Sequence, residues 1–334
     1  MLVSVITIFY NRADLVHDSI QSLLNQTYRN IEIIAVDDGS TDDTLDRLRS
    51  FDDPRLRVIT HPNKGLIHSI IEAVELAQGE LIAIHGSGDI SYPERIEEQV
   101  NLLKSKPEVG VVGCIVENTN LITGESSQFY VKDLERIDVT KHLLSKGNVF
   151  THGEVMYRKS IYEKVGGYRT TFVYSQDLDL WLRMSLVTKF SNVEKKLYRR
   201  FKVPGGVSTV QEKQLMQIHL AELARQCCEM RLETGEDLVD RFGILSPFLR
   251  RRTRRFSSVL LQHAITELRE KRLDHASAFI RLSLRERWMV KNWLFSQIIR
   301  IMRKSETIGE QLVRLYDWIV KMRGKLRRTF SLSE

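Results

Sequence analysis

Val3-Ser4-Val5-Ile6-Thr7-Ile8-Phe9-Tyr10-Asn11-Arg12 and Ile31-Glu32-Ile33-Ile34-Ala35-Val36-Asp37-Asp38-Gly39-Ser40 are two apolar, β-branched runs, each ending in a polar cluster. Between them Leu15, Val16, Ile20, Leu23 and Leu24 recur at helical spacing. Strand, helix and strand in succession make a βαβ unit, so the strands should be parallel with a right-handed crossover. Open α/β sheets bind ligands beyond the carboxyl ends of their strands. Those ends carry Tyr10, Asn11, Asp37 and Asp38, a set that suits a base and a ribose rather than a pyrophosphate. Neither G-x-G-x-x-G nor G-x-x-x-x-G-K-[ST] follows the first run, so no glycine-lined helix start is offered to a phosphate. The charge of a bound nucleotide must then be met elsewhere, by a metal or by basic side chains.

A chain of 334 residues with 42% hydrophobic content can bury a real core, and its length favours about two domains. Cys114, Cys227 and Cys228 leave an odd count without C-x-x-C spacing, which argues against a disulfide framework or a zinc site. No secretory leader pattern opens the sequence and no run of eighteen apolar residues occurs, so a cytoplasmic setting is expected. The net charge of +7 is uneven: residues 231–334 carry +11, which leaves −4 on residues 1–230. An acidic front and a basic back suggest two jobs in one polypeptide.

Strands and helices alternate through the front half. Thr41 to Phe51 reads as a helix behind an acidic N-terminal cluster, Leu56 to Ile59 as a strand, and Leu66 to Ala77 as a helix closed by Gly79. Leu81 to Ile84 is a strand that leads into His85-Gly86-Ser87-Gly88-Asp89, and Pro93 then starts a helix. Val109 to Val116 is a further strand, Gln176-Asp177-Leu178-Asp179-Leu180-Trp181-Leu182-Arg183 opens a helix, and the chain is helical beyond about Gln211.

Several of these pieces, in this order over residues 2–215, resemble the family-2 nucleotide-sugar glycosyltransferases of the GT-A fold. They are Val3 to Asn11, Leu23-Leu24-Asn25-Gln26-Thr27-Tyr28, Val36-Asp37-Asp38-Gly39-Ser40, Asn63-Lys64-Gly65-Leu66, Pro93-Glu94-Arg95-Ile96, Gly166-Gly167-Tyr168 and Asp177 to Arg183. The resemblance implies an α/β fold with a Rossmann-like, mostly parallel central sheet flanked by helices. The catalytic domain would span residues 1–215, and residues 216–334 would form an all-α basic extension. It also implies that Thr7, Tyr10 and Asp38 surround the donor's nucleobase, with Asp38 accepting the base N–H, since a carboxylate only accepts. The alternative for Asp37 and Asp38 is a turn that ends the strand.

The family's metal motif aligns with Ser87, Gly88 and Asp89, and places Ser87 and Asp89 at the donor. Gly86 and Gly88 stand where acids are expected, leaving Asp89 to hold Mn²⁺ or Mg²⁺ together with the donor's diphosphate. His85 beside it is a ligand or a structural histidine. Arg199, Arg200 and Lys202 introduce cations where relatives often carry a histidine downstream. They either bind the diphosphate by charge-assisted hydrogen bonds or form a solvated basic loop. Ile70-Ile71 replaces polar residues that face the donor in many relatives.

Asp177 matches the catalytic base that takes the acceptor hydroxyl's proton, with a helix N-cap as the alternative role. Gln176 stands where Glu is usual, and His152 falls on the acceptor side. Trp181 is expected in the core.

In the tail, Trp288 to Met302 is rich in apolar residues between cations, and Ile308, Leu312, Leu315, Ile319, Met322 and Leu326 form one helical stripe. Basic amphipathic helices with Trp bind anionic membrane surfaces, whereas a helical bundle uses the same pattern for packing. Arg250-Arg251-Arg252-Thr253-Arg254-Arg255 raises nucleic acid as a third partner, but no aromatic-interleaved strand or zinc spacing supports it.

The sequence therefore points to an inverting glycosyltransferase. It would use a UDP-, GDP- or dTDP-linked donor and a glycan or lipid-linked acceptor, in cell-surface polysaccharide synthesis at the inner face of the membrane. The alternatives are a degenerate homologue that binds nucleotide-sugar or glycan without turnover, and a scaffold acting through its helical tail.

Overall fold

In the computed structural model, residues 1–121, 123–202 and 211–303 are described, apart from the side chains of Lys202 and Gln211. The stripe from Ile308 to Leu326 lies outside the described residues, as do Gly205 and Gly206. The strands are β1 (Val3–Phe9), β2 (Ile31–Asp37), β3 (Leu56–Thr60), β4 (Leu81–Gly86), β5 (Ile90–Ser91), β6 (Val109–Asn120), β7 (Ser126–Phe129), β8 (Met156–Arg158) and β9 (Lys189–Lys202). The first helices are α1 (Ala13–Leu24), α2 (Thr44–Arg49), α3 (Leu66–Leu76), α4 (Arg95–Ser105), α5 (Val139–Ser145) and α6 (Lys159–Lys164). They are followed by α7 (Gln176–Ser185), α8 (Gln211–Thr234), α9 (Leu238–Phe242), α10 (Arg254–Arg269), α11 (Leu273–Glu286) and α12 (Val290–Met302).

One sheet runs β3-β2-β1-β4-β8-β6-β9-β5, with β7 on β6. Its first half is parallel: β1 pairs with β2 from Val3↔Ile31 to Phe9↔Asp37, and with β4 from Val3↔Leu81 to Ile8↔Gly86. The second half is mixed, β8 lying antiparallel to β4 and β6, and β9 parallel to β6. Side chains of a strand alternate between faces, and the core divides accordingly. Val3, Val5 and Phe9 join Val16 and Ile20 of α1 and Val100 of α4 in one layer. Ile6, Ile34 and Ile84 join Ile67 and Ile70 of α3 and Leu180 and Trp181 of α7 in the other. Trp181 is thus fully buried core, as its spacing implied.

Gln26 shows what a motif residue does for the fold. Its Nε2 donates to the carbonyls of Ser22 (3.0 Å) and Tyr92 (2.9 Å), and its Oε1 accepts from Ile96 N at 3.0 Å. The amide thereby satisfies an orphan donor of α4 and ties that helix to the end of α1.

Contacts divide the chain into two units, Met1–Leu249 and the described residues from Arg250 onward. The boundary expected at 215/216 falls inside α8, whose Leu220, Leu223, Ala224, Cys227 and Cys228 are buried in the core of the first unit. In the second unit α10 and α11 form a hairpin. Ser257 and Ser283 exchange hydroxyl-to-carbonyl bonds of 2.8 and 2.6 Å, and Asn292 Nδ2 of α12 donates to both hydroxyls at 2.8 and 2.6 Å. Small serines let the two helices approach closely around one buried polar cluster, in which Asn292 Oδ1 has no hydrogen-bond partner among the described residues. Within the arginine run, Arg250 is neutralised by Glu286 at 2.7 Å and lies over Phe256. Among the described residues no helix is long and apolar enough to cross a membrane.

Candidate functional site

A cavity of about 1180 Å³ opens beyond the carboxyl ends of β1 and β4 in the first unit. Tyr10, Asp38, Ser87, Asp89, His152 and Asp177 all line it, as does Gln176. Thr7 does not. The residues of β1 that line the cavity are Ile6 and Ile8, and the period of two turns Thr7 to the other face, where it is fully buried. The expectation that Thr7 meets a nucleobase is corrected on that ground. Lys202 ends β9, and its side chain lies outside the described residues.

At the β1–β2 end, Tyr10 is 48% exposed above the apolar floor of Ile6, Ile8 and Ile70. Asn11 has φ of 50° and stitches the two strand ends together. Its N–H donates to Ser40 Oγ at 3.0 Å, and its Oδ1 accepts from Thr41 N at 2.8 Å. Asp37 is a turn residue, accepting from Ser40 N and from Thr60 Oγ1 of β3. Asp38 does structural work on the cavity wall. Its Oδ1 accepts from Lys64 N (2.9 Å) and Ser69 Oγ (3.0 Å), and its Oδ2 from Gly65 N (3.0 Å). Each carboxylate oxygen accepts two hydrogen bonds, so one position on Oδ2 is left for a ligand N–H.

The turn after β4 was expected to carry the metal. Tyr198 of β9 accepts from Gly86 N at 2.9 Å and donates to Asp89 Oδ2 at 2.7 Å, while Phe201 N donates to Asp89 Oδ1 at 3.0 Å. Burial pushes the Asp89 carboxyl up to about 6, against the pull of these bonds. His85 is structural: its ring nitrogens meet Ser19 Oγ (3.0 Å), the Asp89 carbonyl (3.1 Å) and Ser91 Oγ (3.1 Å), and burial drives it down to about 3, so it is neutral. Fully buried Arg95 donates to the Ile84 carbonyl and lies 4.9 Å from the Tyr198 ring centroid, backing this arrangement. The turn offers a divalent ion one carboxylate. Asp89 is a single carboxylate with a hydrogen bond on each oxygen, and among the described residues no group of three or more His, Cys, Asp or Glu is arranged for a metal.

On the opposite wall Asp177 stands in the first turn of α7, behind Ser175 as the N-cap residue. Asn148 Nδ2 donates to its Oδ2 at 2.7 Å, and Leu178 N to its Oδ1 at 2.8 Å. The second aspartate of the motif turns away from the cavity. Buried Asp179 pairs with Arg183 at 2.6 Å and with Arg169, which also holds Asp237 at 2.9 Å. Helical geometry thus splits one motif into a cavity carboxylate and a structural ion-pair network. His152 bonds Tyr168 Oη through Nε2 at 2.8 Å, and burial holds it below its ordinary value against the attraction of Asp177. Sequence reading missed Asn148, whose loop has no motif, and Tyr198, which reads as one apolar residue of a strand.

Residues 4–166 match the family model described as glycosyl transferase family 2. Among curated proteins, "Putative glycosyltransferase EpsE" of Bacillus subtilis is 34% identical over 189 residues, covering 54% of this chain and 66% of that protein. An uncharacterized glycosyltransferase of Haemophilus influenzae is 28% identical over 208 residues, 59% of this chain and 64% of the other. The chondroitin synthase of Pasteurella multocida is 27% identical over 202 residues, 60% of this chain but 20% of the synthase. The chain therefore spans less than two thirds of the length of these relatives. In solved structures, S. aureus TarS 1-349 in complex with UDP-GlcNAc has a TM-score of 0.56 at 18% identity, covering 94% of this chain and 90% of that one. A mannosyltransferase from Pyrobaculum calidifontis in complex with GDP-Man and Mn²⁺ scores 0.55 at 16% identity, covering 95% and 84%. At these identities the likeness is one of fold.

Proposed function

Residues 4–166 make this chain a member of glycosyl transferase family 2, and on that premise we propose that it is an inverting glycosyltransferase. It moves a sugar from a nucleotide-sugar donor to a hydroxyl of a glycan or lipid-linked acceptor. The observation that carries this reading is the composition of one cavity. Tyr10 and Asp38 line it at the strand ends, and Asp177 offers a fixed carboxylate from the start of α7. A volume of about 1180 Å³ exceeds that of a pocket for one small ligand and suits donor and acceptor together.

In the reaction the acceptor oxygen attacks the anomeric carbon in line while its proton passes to the Asp177 carboxylate. The bond from the anomeric carbon to the phosphate oxygen breaks, and its electron pair leaves with the nucleoside diphosphate. Holding both partners in line supplies much of the rate. Asp38 reads the base N–H through the free position on Oδ2, Tyr10 covers the base, and Ser87 lies beside the donor. His152, neutral and bonded to Tyr168, lines the acceptor side. The GDP-Man and UDP-GlcNAc bound in the structural neighbours and a polysaccharide synthase among the relatives support a donor of the UDP or GDP type and a role in polysaccharide synthesis.

The second unit supports docking to an anionic membrane surface from the cytoplasmic side. Trp288, Val290, Trp293 and Leu294 are exposed beside Arg287 and Lys291. Asp177 tests the chemistry. Asp177→Asn should lower transfer from UDP-, GDP- or dTDP-sugars by about 10²- to 10⁴-fold while donor affinity is retained. Undiminished transfer would remove Asp177 as the base, and donor binding without turnover by the unaltered chain would favour the degenerate reading.

A further inference from the structure

We infer that this chain binds the donor's diphosphate through the Arg200 guanidinium, without a divalent metal ion. The inference rests on the reading of the cavity as a nucleotide-sugar site.

The turn after β4 is closed to a second carboxylate. Gly88 has φ of +91°, and a Cβ added there would stand 2.6 Å from Leu15 Cδ1 and 2.9 Å from Leu15 Cβ. An aspartate at this position would require α1 to move. At Gly86 a Cβ would fall 2.3 Å from Asp89 Oδ2. Asp89 itself is fastened by Tyr198 and Phe201 to the end of β9, so its work is to fix that strand's last residues against the turn.

The same fastening sets the cation. Strand alternation sends the two neighbouring arginines to different places. Arg199 pairs with Glu117 at 2.7 Å and lies over Tyr92, and it does not line the cavity. Arg200 lines the cavity, half-buried, and makes no ion pair among the described residues. Its charge acts on both Asp89 and His152, one at the donor turn and one on the acceptor side. Arg12, Lys64 and Lys213 also line the cavity, and Lys64 is engaged by Glu72. A guanidinium stays charged at every working pH and presents paired N–H donors to phosphate oxygens. Such a group, already in place, stabilises the charge that builds on a departing diphosphate, which is the task a metal performs elsewhere.

The test is calorimetric titration of the full chain with UDP, GDP and dTDP, each in Mn²⁺ and again in EDTA. One nucleotide should bind in both, with affinities within about threefold of each other. Arg200→Gln should weaken that binding by about tenfold or more, the scale of a charged hydrogen bond. Arg199→Gln should leave it unchanged, and thermal melts of both variants should match the parent chain. Binding only with Mn²⁺, or equal affinity in Arg200→Gln, would overturn the inference while leaving the transferase reading intact. Failure of all three nucleotides in both buffers would overturn both.

Discussion

Asn148 and Asp177 lie 29 positions apart in sequence, yet one hydrogen bond of 2.7 Å joins them. The amide donates, so it holds the carboxylate in one orientation at the cavity. Removing it should leave the base present but unguided. Asn148→Ala is expected to lower kcat by about tenfold with little change in the donor's KM, because a loosened group costs orientation rather than binding. Asn148→Asp puts a second carboxyl at hydrogen-bond distance, and two such groups share a proton rather than both ionise. The acidic limb of its pH–rate profile should therefore move to higher pH, with activity falling more at pH 6 than at pH 8. An unmoved profile would make Asn148 a packing residue only. The family resemblance announced Asp38 and Asp177 as candidates, but not their company: Asp38 already holds three donors of the 64–69 segment.

The elements show where pattern suffices and where it stops. Continuous apolar runs marked β1, β2 and β4 in the sequence, since such β-branched runs bounded by polar turns have few other solutions. Face was harder. The resemblance assigned Thr7 to the site, whereas Ile6 and Ile8 line the cavity and Thr7 is buried on the other side. One residue of slip exchanges every side chain between faces. The turn between β4 and β5 carries its own test. Gly88→Ala places a Cβ at positive φ against Leu15, so it should cost about 1–3 kcal/mol in denaturant unfolding. A neutral result would mean that α1 yields at Leu15 and that the position is open to an acid.

At the scale of the molecule, both units leave apolar side chains in water: Phe248 is 85% and Ile244 81% exposed in the first, and Trp288 62%, Val290 59% and Leu294 51% in the second. In the second unit these side chains stand beside cations. Apolar side chains beside Arg and Lys at a helix surface suit the interface of an anionic bilayer. The full chain should sediment with phosphatidylglycerol vesicles at low salt and be released at high salt. Trp293→Ser with Leu294→Ser should reduce the bound fraction severalfold while leaving donor binding unchanged. Equal sedimentation with neutral vesicles, or none with anionic ones, would turn the second unit toward protein partners.

By itself the sequence determined the succession of strands and helices, the family resemblance and the basic back half, because these rest on local periodicity and composition. Tertiary structure decided what shares a cavity. It turned Arg200 inward and Arg199 outward, made Asp89 a fastening for β9, and gave Asp177 its amide partner. It also carried α8 into the first unit, past the boundary that the resemblance implied. Those outcomes depend on which face of a strand or helix meets which neighbour, a long-range contact that no stretch of sequence records on its own.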